Sequence, residues 1–159
     1  MDGKFIFPNR EGVTNKAIQD GKAKIAPKGT LLMSFKLTIG RMGFAGQDIY
    51  PNEAIVSILP NSTKSLDMFL YYLLGFQDLT AGSGRAIKGE TLNSKSLSAI
   101  PIYLPPPVEQ KRIVDVVSSV DAYIDALQEQ ADFARTARNA LLHELLSAGG
   151  EGWTETTIG

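Results

Sequence analysis

From Glu109 to Ser147 the chain runs 39 residues without a glycine or a proline, and its apolar residues keep a seven-residue period throughout. Ile113, Val120, Leu127, Ala134 and Leu141 recur every seven residues. Val117, Ile124, Ala131, Arg138 and Leu145 recur with the same period, four residues further on. Nine of these ten positions are apolar, which is the alternating spacing of a helix that buries one stripe against another helix. At 1.5 Å per residue the helix is about 58 Å long, against roughly 30 Å for a 100-residue domain. The rest of the chain cannot cover such a stripe, so a lone helix lying on a domain surface is the weaker reading. The helix needs a second copy of itself or another protein. Ala131 and Ala134 permit close backbone approach. Arg138 in the stripe would face its own copy in a parallel pair, whereas an antiparallel pair sets it opposite a different residue. Gly149-Gly150 ends the run.

Pro105-Pro106-Pro107 is a hard boundary, because proline cannot continue a ladder but is tolerated in the first turn of a helix. Residues 1–104, before it, fall into short runs separated by turn residues. Leu31 to Thr38 alternates. Leu31, Met33, Phe35 and Leu37 form the face expected in the core; Leu32, Ser34, Lys36 and Thr38 form the other, ending in an outward cation and hydroxyl. Ile39 to Gly46 has three glycines in eight residues and reads as a tight turn, a bulge or a close backbone approach. Ala54 to Leu59 is a continuous apolar run stopped by Pro60, as in a buried central strand. Residues 65–76 change period: Leu66, Phe69, Leu70, Leu73 and Phe76 share a helical face, with Asp67 in the first turn. Thr80 to Gly89 is a polar loop, and Ile100, Ile102 and Leu104 return to strand alternation. The fold class is α+β: a sheet-rich globular domain over 1–104, a long helix over 105–148 forming an antiparallel coiled coil with a partner, and a tail over 149–159.

Little in the composition supports catalysis. There is no cysteine and one histidine, which excludes thiolate metal sites, cysteine nucleophiles and multi-histidine centres. Gly84 to Thr91 resembles a phosphate-binding loop in spacing, but Glu90 stands where the lysine should follow the second glycine. His143, near the helix end, fits an interaction with terminal carbonyls or solvent. Glu53 beside Asn52 is the one paired polar feature near a strand. No cofactor site is legible. No run of 18 apolar residues occurs and the first residues lack a signal pattern, so a soluble cytoplasmic protein without membrane contact is expected.

The formal net charge of −1 conceals an asymmetry. Residues 1–104 hold 12 Lys+Arg and 8 Asp+Glu, giving +4; residues 105–159 hold 4 and 9, giving −5. Only the first part suits a polyanion. Its loop cations Lys36, Arg41, Arg85, Lys88 and Lys95, with Thr38 and Ser83 among them, are side chains of the kind that contact phosphates and base edges. Arg85 is expected to read a base and Lys88 a phosphate.

The block Leu104-Pro-Pro-Pro-Val-Glu-Gln-Lys-Arg-Ile113, following Leu92-Asn93 and Ile100-Pro101-Ile102 and leading into the long helix, resembles the specificity subunit of type I restriction–modification systems. Pro27-Lys-Gly-Thr-Leu-Leu-Met-Ser34, Ile39-Gly40, Asn52-Glu-Ala-Ile55 and Gly82-Ser-Gly84 resemble its target recognition domain. The tail Gly152 to Gly159 resembles the start of a further one. The resemblance implies a non-catalytic protein that reads double-stranded DNA and binds methyltransferase (modification) subunits, with restriction subunits as further partners. In that family two recognition domains are separated by two antiparallel helices, and each reads half of a bipartite site. Here one domain and one helix are present, and the chain enters partway into the usual domain, so a half-subunit that homodimerises is expected, whether a natural half-subunit or a truncated or split gene product. The alternative is a coiled-coil adaptor or interfering subunit that occupies partner subunits without reading DNA.

Overall fold

The structure is a computed structural model and describes residues 4–8, 12–21, 23–36, 39–60, 63–77, 79, 97, 100–147 and 149–157. The elements are β1 (Phe5–Ile6), α1 (Asn15–Gln19), β2 (Leu31–Ser34), β3 (Met42–Ala45), β4 (Ile55–Ile58), α2 (Asp67–Phe76) and α3 (Pro107–Ser147). Thr14 caps α1, its hydroxyl accepting from the Ala17 N–H at 3.3 Å. The chain divides into two compact units, residues 1–114 and 115–159.

The first unit is built on a four-stranded mixed sheet in the order β1-β3-β2-β4. β2 pairs antiparallel with β3 (Leu31 opposite Phe44, Met33 opposite Met42) and with β4 (Leu31 opposite Ile58, Ser34 opposite Ile55). β1 lies parallel to β3, with Phe5 opposite Phe44. Both faces of the sheet are covered. On one, Leu32 and Ala45 meet Ala26 and Ile49, and Ile6 and Ile55 pack around them. On the other, Leu31 and Phe44 meet Leu70 of α2, flanked by Met42, Ile58, Tyr71 and Leu74. Full burial of Leu31 and Leu32 stabilises by about 1.5–3 kcal/mol each.

Four readings of the sequence are corrected here. Leu32 is as buried as Leu31, because the two bridged segments that carry Ala26 and Ile49 cover the second face of the sheet. The Ala54–Leu59 run is not central: β4 is an edge strand among the described residues, half-buried along its length, and Leu59 is exposed. The central partner of β2 is instead the glycine-rich segment, whose residues 42–45 form β3. Gly43 is needed there because a Cβ would lie 2.8 Å from Ile6 Cγ1 and 3.2 Å from the Lys4 carbonyl, so the close-approach reading holds at this position. The turn reading holds at Gly40, whose φ of 82° lies in the left-handed region. In α2 the row facing the sheet is Leu70, Tyr71 and Leu74. Phe69 is buried, but Phe76, at the last helical turn, is 94% exposed. Residues 100–106 form no strand; the Gln77 side chain donates to the Pro101 carbonyl at 3.3 Å.

The long helix α3 has 41 residues and begins at Pro107. The Pro106 carbonyl accepts from the N–H groups of Glu109 and Gln110 at 2.9 and 3.0 Å, so the proline segment delivers the chain into the first turn. The helix ends at Ser147, and Gly149 follows with φ 61°.

Candidate nucleic-acid interface and helix seam

Two of the cations singled out in the sequence flank the β2–β3 connection. Gly40 N–H donates to the Ser34 carbonyl at 3.0 Å and Ser34 N–H to the Arg41 carbonyl at 2.8 Å, which closes the connection and sets Lys36 and Arg41 on it. Arg41 is exposed. Lys36 Nζ lies 3.0 Å from Glu53 Oε1, with 34% and 88% of the two side chains exposed. Glu53 is placed by Asn52, whose Oδ1 accepts from the Ala54 N–H at 3.0 Å in the turn leading to β4. The ends of β2, β3 and β4 thus bring together two cations and one carboxylate. Thr38, Ser83, Arg85, Lys88 and Lys95 lie outside the described residues.

A further cation was not legible in the sequence. Lys4 Nζ sits 5.9 and 5.6 Å from the ring centroids of Tyr71 and Tyr72, whose rings meet edge to face. The parallel pairing of β1 with β3 brings it there: the Lys4 carbonyl accepts from the Phe44 N–H at 2.8 Å. No local pattern marks a lysine two residues before Ile6 for that role.

Along α3 the heptad residues stand open. Ile113 and Val117 are half-buried, while Val120, Ile124, Leu127, Ala131, Ala134, Leu141 and Leu145 are exposed. Gln110 is the one buried residue of the helix and has no accessible surface. Its Nε2 donates to the carbonyls of Lys64 at 2.7 Å and Pro105 at 2.8 Å, and its Oε1 accepts from the Leu66 N–H at 2.9 Å. Leu66 is the cap residue of α2 and offers no side-chain acceptor. The amide of Gln110 therefore does for the cap N–H what the Glu or Gln at the third helical residue of a capping box does locally. Sequence reasoning missed this residue because it stands in a polar Glu-Gln-Lys-Arg run, where burial has no periodic signature.

Among the described residues no group of three or more metal-ligating side chains occurs, and no helix is long and apolar enough to cross a membrane.

The described residues thus combine a small mixed sheet covered on both faces, cations beside its strand ends, and a long helix entered through a proline segment. Residues 1–132 match the family described as the type I restriction modification DNA specificity domain, and the chain belongs to this family. It is 30% identical over 156 residues to the type I restriction enzyme EcoBI specificity subunit of Escherichia coli, covering 95% of this chain and 33% of that protein. It is 28% identical over 134 residues to the MjaIX specificity subunit of Methanocaldococcus jannaschii, covering 79% of this chain and 30% of that protein. The fold matches a chain of a solved type I R-M system with a TM-score of 0.63 at 22% identity, over 78% of this chain and 31% of that one. The chain spans about a third of the length of the curated relatives it matches.

Proposed function

We propose that this chain is a half-sized, non-catalytic DNA-recognition subunit that pairs with a second copy through α3, reads a bipartite site on double-stranded DNA and seats methyltransferase subunits, to which restriction subunits can add. Residues 1–104 contact DNA, residues 105–148 dimerise, and residues 149–159 begin a further recognition domain. The single observation that carries this reading is the open apolar stripe of α3, in which Val120, Ile124, Leu127, Ala131, Ala134, Leu141 and Leu145 are all exposed. An antiparallel pair would cover Ile113 to Leu145 in both copies and set two basic domains apart. Lys36 and Arg41, with Thr38, Ser83, Arg85, Lys88 and Lys95, are the proposed DNA contacts.

Val116, Tyr123 and Phe133 lie off the stripe, about 100° round the helix, and are exposed. Ala126 and Ala140 continue the row of Phe133 at the seven-residue period, while Asp121, Asp125, Asp132 and Arg135 lie on the other side of the stripe. This apolar flank is the surface proposed for the methyltransferase subunits.

The test is the methylated motif of the host genome together with solution mass. A symmetric bipartite motif and a dimer by light scattering are expected, and duplexes carrying both half-sites should bind with an affinity that falls with salt. A monomer at tens of micromolar, or a salt-independent interaction with DNA, would overturn the reading. A chain that holds methyltransferase subunits but binds no duplex would be the coiled-coil adaptor instead.

A further inference from the structure

From the Gln110 amide we infer that Gln110 is the positioning residue that makes the start of α3 a rigid continuation of the recognition domain and thereby fixes the spacing at which two half-sites are read; the spacing clause rests on the proposed function. Gln110 is the only fully buried side chain of α3, although the helix enters through three prolines that by themselves fix only the local backbone. Its three hydrogen bonds go to three different places: the Lys64 carbonyl before α2, the Leu66 N–H at the cap of α2, and the Pro105 carbonyl at the helix approach. Both amide protons and the amide oxygen are engaged, and among the described residues no buried side-chain polar atom lacks a partner.

The direction of the chemistry matters. The joint needs two donors and one acceptor on one planar group, at the reach of a two-methylene stem. Only glutamine supplies that without a charge. A glutamate of the same size keeps the acceptor for Leu66 but turns an oxygen toward two carbonyls. A methionine keeps the volume and leaves all three backbone groups unpaired in a dry site. Because α2 packs through Leu70 against Leu31 and Phe44, the bond to Leu66 ties the helix start to the sheet itself. Loosening it would leave each recognition domain able to bind its half-site, but free to adopt several orientations on the helix. A stiff connection selects one spacing, whereas a loose one tolerates several at lower affinity.

The experiment uses the full chain, which contains no native cysteine. Spin labels at Lys28→Cys and Arg112→Cys, diluted with unlabelled chain so that a dimer carries one labelled copy, report the distance distribution by pulsed electron resonance. A narrow distribution is expected, broadening in Gln110→Met and in Gln110→Glu, with the dispersed amide spectrum of the recognition domain retained in at least one of the two. In parallel, the chain with its methyltransferase subunits is titrated with duplexes whose half-sites are separated by varied spacers. The preference for the optimal spacer over one altered by a base pair should fall by roughly tenfold in the variants, while discrimination of cognate from scrambled half-sites stays constant. An unchanged distance distribution in a folded variant overturns the joint. A broadened distribution with an unchanged spacer preference overturns its role in spacing. A wild-type protein indifferent to spacer length would remove the bipartite reading and the spacing clause with it, and the distance measurement would then decide the joint alone.

Discussion

Among the described residues every buried apolar side chain lies between Ala26 and Leu79, and residues 115–159 bury none. The first region closes its core with short strands covered on both faces. Its stability comes from contacts distant in sequence, such as Leu32 with Ala26 and Ile49. The second region satisfies its backbone locally, turn by turn, with exposed pairs such as Asp132–Arg135 at 2.9 Å adding only a few tenths of a kcal/mol. It leaves Ile124, Leu127 and Leu141 in water. One region buries its own apolar side chains. The other leaves the apolar stripe of its helix open, and that stripe is the surface proposed for pairing.

Two substitutions separate the regions most sharply. Leu127→Glu sets an unpaired carboxylate at the centre of the proposed seam, twice per dimer, at a cost of about 3 kcal/mol each. Light scattering should show dissociation at micromolar concentration while the amide spectrum of residues 1–104 stays dispersed. A dimer that survives this change pairs through some other surface. Leu32→Ala does the reverse: removing a fully buried side chain from a two-faced sheet should cost about 2–5 kcal/mol. Thermal unfolding of the sheet region should shift strongly downward, with helical circular dichroism persisting to higher temperature. Loss of both signals together would mean that the two regions unfold as one.

The two regions were also unequally legible. The helix could be placed from its period alone, because 39 residues without glycine or proline leave few other options. The α+β class and the existence of β2 and α2 were readable for similar reasons. Which strand is central was not: β4 is rich in β-branched residues and β3 is not, yet β3 lies inside because Gly43 admits β1 beside it. That depends on a partner strand some 37 residues away, which no local pattern contains. Phe76 fits the helical stripe by spacing but falls where α2 ends, beyond the sheet it could have covered. Gln110 was invisible for the opposite reason, since its surroundings in the sequence are those of a solvated surface.

The apolar flank of α3 gives a smaller expected effect. Phe133→Ala removes an exposed ring that lies off the seam and is 76% exposed. It should leave the dimer mass unchanged and weaken capture of methyltransferase subunits by about 1–2 kcal/mol, roughly five- to thirtyfold, as for an aromatic anchor in an interface. Calorimetric titration of the dimer with those subunits reads this directly. Unchanged affinity would move the docking surface elsewhere.

The smallest change tests whether the charge asymmetry is put to use. Glu53 holds Lys36 at 3.0 Å, but its own side chain is 88% exposed, so the pair contributes at most about 0.5 kcal/mol to folding. Glu53→Gln removes one negative charge, raising residues 1–104 from +4 to +5, and leaves Lys36 without its carboxylate. If Lys36 and Arg41 lie along the DNA backbone, the freed ammonium becomes available to a phosphate. Each added phosphate contact steepens the dependence of log affinity on log salt by about 0.9. The expected outcome is therefore a melting temperature within a degree or two of wild type, tighter DNA binding at low salt, and a slope steeper by nearly one unit. Lys36→Gln should flatten the slope, since no cation then remains at that position. An unchanged slope in both variants would place the β2–β3 connection away from the DNA, and a large loss of stability in Glu53→Gln would make the pair a structural contact.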